Sequence, residues 1–230
     1  MKLFYLLVFT FCWVILFSSE TDAQTPPGTK NSDQIPPREK INVYALFSPE
    51  IEEFAKKVST ELKQKEDLET FAQQGLVIHG TLFMTEYPHG KRDEIFRIVS
   101  TLASGTKTFP ITSTGLHRTN GNWFFLNLER NKYFQKLSDS LCELLSPLRL
   151  IDQKPPDWLL NYPQKLKSFE MYGSPNVFGD FEPHITLLAN SEEKKLVRFI
   201  EFYSSNQRLI GIADHNGQME TSEREYFFTP

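Results

Sequence analysis

The sequence predicts an α+β domain in which one order of elements is used twice. Two observations predict it. Apolar runs of strand length alternate with segments whose apolar residues recur every three to four positions, the period of a helix. Two of the strand runs, Val77-Ile78-His79-Gly80-Thr81-Leu82-Phe83 and Pro183-His184-Ile185-Thr186-Leu187-Leu188, also share a pattern: a histidine with a threonine two residues on.

In chain order, Ile41 to Phe47 reads as a strand. Ser48-Pro49-Glu50 suits a helix start, with a cap residue, a proline in the first turn and then an acid. Ile51, Phe54, Val58 and Leu62 give that helix its apolar stripe. Leu76 to Met84 is the first His-x-Thr strand, followed by a helix from Lys91 to Ala103 with Ile95, Ile98, Val99 and Leu102 inward. Thr108 to Leu116 reads as a strand. The order then restarts: a strand from Trp123 to Leu128, and a helix from Asn131 to Leu145 with Phe134, Leu137, Leu141 and Leu144 inward. The second His-x-Thr strand runs from Phe181 to Leu188. A helix from Ser191 to Tyr203 and a strand from Arg208 to Ala213 follow. The halves differ mainly by an insertion, residues 152–179, rich in proline, glycine and aromatics, which reads equally as a binding loop or a surface excursion.

The chain ends bound the domain. Lys2, an apolar run from Leu3 to Phe17 and Thr21-Asp22-Ala23 read as an export signal over residues 1–23, leaving Gln24 first. The run is shorter than the roughly 20 residues of a membrane span, so a secreted or periplasmic product is expected, with an uncleaved anchor as the alternative. Residues 24–39 hold four prolines and read as a flexible linker. Residues 40–230 form the domain, its two halves interleaved as lobes. Cys142 is the one cysteine left after cleavage, so no internal disulfide is possible, and its place on an apolar helix side makes it buried and inert. The formal charge of −4 excludes a global basic field for long nucleic acid and allows a small anionic ligand. The product is expected to be a monomer without stable membrane association.

Side chains two apart on a strand share a face, so each motif offers an imidazole beside a hydroxyl. Two such pairs facing one another supply both proton-transfer partners for one hydrolysis. A lone His-x-Thr is a weak signal, and a third, His117-Arg118-Thr119, ends at the turn signal Asn120-Gly121 and reads as a strand end or hairpin tip. No cluster of histidine, cysteine and carboxylates has metal-ligand spacing, so no metal and no cofactor are expected.

The two motifs, above all Phe181-Glu182-Pro183-His184-Ile185-Thr186-Leu187, resemble the signature of the two-histidine (2H) phosphoesterase superfamily, which includes 2′-5′ RNA ligases and RNA 2′,3′-cyclic phosphodiesterases. The resemblance covers residues 41 to 228. Gly80 replaces an apolar residue in the first motif, and the histidines stand 105 positions apart. The resemblance implies a bilobal, pseudo-twofold α+β fold, with two antiparallel sheets forming a central cleft and helices outside. It implies a metal-independent phosphodiesterase acting on a cyclic phosphate, a small nucleotide or an RNA end. His79 and His184 would be catalytic, with His184 as base and His79 as acid. Thr81, Thr186 and Tyr226 would bind substrate. The alternative is a non-catalytic module that holds a nucleotide in the same cleft.

Overall fold

Along Ile41–Phe47, buried side chains at Ile41, Val43, Ala45 and Phe47 alternate with part-exposed ones at Asn42 and Leu46, Tyr44 alone being buried on the other face, the signature of a strand with one face on a core. Among the described residues there are eight strands and five α-helices: β1 (Val8–Thr10), β2 (Arg38–Phe47), α1 (Pro49–Glu66), β3 (His79–Pro88), α2 (Arg92–Ser104), β4 (Pro110–Ile111), β5 (Ser113–Arg118), β6 (Phe124–Leu128), α3 (Lys132–Leu145), α4 (Pro163–Tyr172), β7 (His184–Leu188), α5 (Glu193–Ser205) and β8 (Tyr226–Thr229). They come from a computed structural model that describes residues 8–10, 38–205 and 226–229.

The fold is α+β with an antiparallel sheet in the order β4-β8-β2-β3-β7-β6-β5, and β1 lies on β2. The two motif strands are central neighbours, joined at Gly80↔Ile185. Beyond that bridge their free edges are taken by connecting segments. Phe71 N–H donates to the Leu187 carbonyl, and Leu150 N–H donates to that of Glu86. Sheet edges covered in this way resist non-native pairing.

One row of residues crosses five strands: Leu116↔Leu126, Leu126↔Ile185, Ile185↔Gly80 and Gly80↔Ala45. Four of its members are buried, and Leu116 is partly buried against the core. Directly paired residues share a face, so this row marks the core side of the sheet. Helices cover that side. Phe134 and Leu141 of α3 are wholly buried, and the Ser138 hydroxyl donates to the Leu82 carbonyl at 2.8 Å. Phe199 of α5 meets Phe124 edge-on at 6.1 Å, and α1 buries Ile51, Phe54, Val58 and Leu62. Gly80 sits beneath two of the core rings. A Cβ there would lie 2.8 Å from Phe47 Cζ and 3.3 Å from Phe134 Cζ. The rings occupy the space that an apolar side chain at this motif position would fill.

Several boundaries differ from those the sequence suggests. Strand β2 begins at Arg38, inside the expected linker, and β3 and β7 begin at their histidines. The strand expected over Thr108 to Leu116 is split at Thr112 into β4 and β5. Leu144 is exposed and Leu145 buried, because the helix turns its i+4 neighbour of Leu141 to the core. The insertion is ordered rather than extended. It carries a short 3-10 turn at Asp157–Asn161 and α4, and Tyr172 and Phe178 pack on the core. Cys142 is free and buried, its thiol pushed up to about 12 by burial. The expected strand from Arg208 to Ala213, and the export signal and linker apart from residues 8–10, 38 and 39, lie outside the described residues. Among the described residues, no helix is long and apolar enough to cross a membrane.

Candidate active site

Register sets the site. If Gly80 and Ile185 face the core, their strand neighbours face the other side. Antiparallel pairing then puts His79 opposite Thr186 and Thr81 opposite His184. Four side chains from two motifs form one square at the middle of the sheet. All four are half-buried. Continuing the rows outward adds Leu46 and Tyr44 from β2, and Phe125 and Asn127 from β6.

Both imidazoles are held in the same way. His79 Nδ1 lies 2.8 Å from the Val77 carbonyl, and His184 Nδ1 lies 2.7 Å from that of Glu182. A carbonyl accepts only, so each Nδ1 carries the hydrogen and each Nε2 is left for chemistry. Each ring also lies against an aromatic ring from the next strand: Tyr44 on His79 at 4.5 Å, Phe125 on His184 at 3.9 Å and 19°. Asn42 completes the first pair. Its amide donates to the Thr81 hydroxyl at 3.1 Å and stands 3.4 Å from His79 Nε2. A register shift between Val43 and Tyr44 leaves Leu82 as the extra residue of β3, immediately after Thr81. Such bulges re-aim side chains beside functional sites.

The segment entering β7 is tied down from several directions. Arg130 donates to the Gly179 and Phe181 carbonyls, at 2.7 and 3.2 Å. Gln135 donates to the Phe178 carbonyl. From the insertion, Lys165 bonds Asn176 at 2.9 Å and Glu182 at 3.1 Å, and Ser168 bonds Asp180. The insertion therefore braces the approach to His184, while its Tyr162 hydroxyl accepts from Asn120 at the β5–β6 turn.

Burial lowers the proton affinity of both histidines. On His184 the charges of Lys165 and His79 lower it further, against opposing hydrogen bonding and charge from Glu182. A proton on His79 thus helps keep His184 neutral, the division of labour an acid–base pair needs. Both groups hold protons more weakly folded than unfolded. Their contribution to stability is complete above the ordinary imidazole value of 6.5 and is lost as the pH falls below it. The same shifts place the maximum of kcat/KM for any reaction needing one charged and one neutral imidazole below pH 6.5. A pH–rate profile checks this; a maximum above pH 7.5 contradicts it.

Beside His184, a groove of ≈ 380 Å³ runs between β6, β5 and the segment entering β7. A larger one of ≈ 1060 Å³ lies between α2 and α3, takes Leu144 in its lining and holds neither motif. Of the remaining sequence-selected residues, Tyr226 is placed by its backbone alone, opposite Ile111 in β4. His89 sits on an exposed turn. His117 lies at the end of β5, the first of the two places its sequence allowed, and lines the groove. Arg118 instead pairs with Glu193 at 2.9 Å. Asn42, Phe125 and Asn127 escaped sequence reasoning, because only strand pairing brings them to the motifs. Among the described residues, no group of three histidine, cysteine or carboxylate side chains could hold a metal.

No protein-family model matches the chain, and no curated protein matches it.

Proposed function

We propose that the protein is a metal-independent phosphodiesterase of the two-histidine kind, acting on a cyclic phosphate or a short nucleotide phosphodiester. One observation carries this reading: the register sets His79, Thr81, His184 and Thr186 on one face as a square, with both Nδ1–H groups engaged by carbonyls, so that each ring turns its Nε2 to the reaction, that of His79 beside the Asn42 amide. In this reading the strands β8-β2-β3 and β7-β6-β5 are the two lobes of a pseudo-twofold domain. The repeated aromatic ring on each imidazole and the edge cover on each motif strand support that symmetry.

The chemistry follows from the proton affinities. A phosphodiester settles over the square, with the Thr81 and Thr186 hydroxyls donating to its non-bridging oxygens. His184, kept neutral by burial and by its charged neighbours, removes the proton from the attacking water at Nε2. His79 gives its Nε2 proton to the leaving oxygen. The threonine hydroxyls meet the growing negative charge, the role oriented donors play in such transition states. Histidine suits both steps because a small change of environment moves its proton between free and bound near neutral pH.

A screen of 2′,3′-cyclic nucleotides, 2′-5′ dinucleotides and RNA ends with residues 24–230 tests the reading. Hydrolysis of at least one class is expected, at a rate unchanged by excess chelator, since the donor set for an essential ion is missing among the described residues. Activity lost on chelation and restored by zinc, magnesium or manganese would reject the mechanism. Tight binding of a nucleotide without turnover would instead favour a binding module.

A further inference from the structure

The third His-x-Thr has no part in the proposed reaction, yet the fold sets it on the reaction side. His117 pairs with Phe125, and Phe125 pairs with Thr186, so the three side chains share the face that carries the motif square. Phe125 stacks on His184, leaving His117 on the far side of that ring. His117, Thr114 and Thr119 line the same ≈ 380 Å³ groove as Asn127, Arg130 and His184.

The groove is rich in unused donors. His117 is exposed and makes no hydrogen bond, ion pair or ring contact among the described residues. Thr119 accepts a hydrogen bond from Trp123 N–H at 3.1 Å, which leaves its own hydroxyl hydrogen to donate. Arg130 spends Nη1 on two backbone carbonyls, and its other nitrogens remain. The one carboxylate in the lining, Glu182, is paired with Lys165 at 3.1 Å, so its repulsion of an anion is largely offset. Strands β7 and β5 lie two spacings apart, roughly 10 Å. Imidazoles reaching into the groove from both shorten that gap toward the span of one ribose with a phosphate on either side.

We propose that His117, with the Thr114 and Thr119 hydroxyls, forms a second anion subsite. It takes a phosphate carried by the same nucleotide as the scissile phosphodiester but not part of it. This rests on the reading of His79 and His184 as the reacting end. It makes the preferred substrate a linear oligonucleotide end bearing a further phosphate, over a cyclic mononucleotide.

Calorimetric titration with adenosine 3′-monophosphate and adenosine 3′,5′-bisphosphate tests the subsite, since neither contains a phosphodiester to hydrolyse. The bisphosphate is expected to bind about tenfold more tightly, the worth of one added charge-assisted contact. His117→Ala should bring the ratio of the two affinities to about one, and His89→Ala, on its exposed turn, should leave the ratio as in the unaltered protein. Equal affinities in the unaltered protein, binding of neither nucleotide, or a ratio that persists in His117→Ala would overturn the proposal. A protein that hydrolyses phosphodiesters yet binds both nucleotides equally loses the subsite alone. One that is inert yet keeps the ratio loses the hydrolase reading alone.

Discussion

His79→Ala and His184→Ala are each expected to lower kcat by about 10² to 10⁴, the usual worth of one general acid or base. Both rings are held through Nδ1 by a carbonyl two residues upstream, so removing either deletes a fixed Nε2 and leaves the strand in place. Both are half-buried rather than part of the core. Truncation should therefore cost stability only through the lost aromatic contact, about 0.5–1.5 kcal/mol. Thr81→Ala and Thr186→Ala should cost less activity, each removing one donor to the phosphate. His89→Ala, on an exposed turn, serves as the control and should match the unaltered enzyme. Steady-state kinetics beside thermal unfolding separate the outcomes. Equal loss in all three histidine variants, in step with melting temperature, would assign the effect to folding.

Phe134→Ala carries the largest expected effect on stability, about 3–5 kcal/mol. The ring is fully buried, meets Phe181 edge-on at 5.5 Å and lies 6.0 Å from Phe109. It also stands where a Cβ on Gly80 would come within 3.3 Å, at the centre of the sheet beneath the motif square. Its loss opens a cavity below Gly80 and removes the edge contact that fixes Phe181, three residues before His184. In a domain of this size each kcal/mol moves the melting temperature by about 2–4 °C, so a drop of roughly 6–20 °C is expected. Turnover measured well below the transition should fall too, because the entry to β7 loosens. A denaturant-derived loss under about 1 kcal/mol would show that the core closes over the gap.

The pairing of His79 with Thr81, and of His184 with Thr186, was legible because it needs only the two-residue period of a strand. So was the start of α1, where Ser48-Pro49-Glu50 acts locally. What the sequence hid depends on contacts distant along the chain. The bulge at Leu82 shifts the facing of β3 after Thr81, and nothing in the apolar run Leu82-Phe83 marks it. The Asn-Gly turn marked His117 as a strand end or hairpin tip, but the face it takes follows only from how β5 registers against β6. Leu144 and Leu145 both continue the α3 period from Leu141, and only packing against neighbours decides between them. The insertion read equally as a binding loop or a surface excursion. The contacts of Lys165 and Ser168 with Asn176, Glu182 and Asp180 make it a brace for the strand that bears His184.

The central claim is that His79 and His184 work as one catalytic unit across the Gly80↔Ile185 bridge. The double-mutant cycle on kcat measures this directly, using the substrate found in the nucleotide screen. If the two imidazoles serve the same transition state, the double variant should be within about tenfold of the weaker single variant, because groups acting together do not add. Losses that multiply to the product of the two singles would mean independent roles and would contradict the two-histidine mechanism.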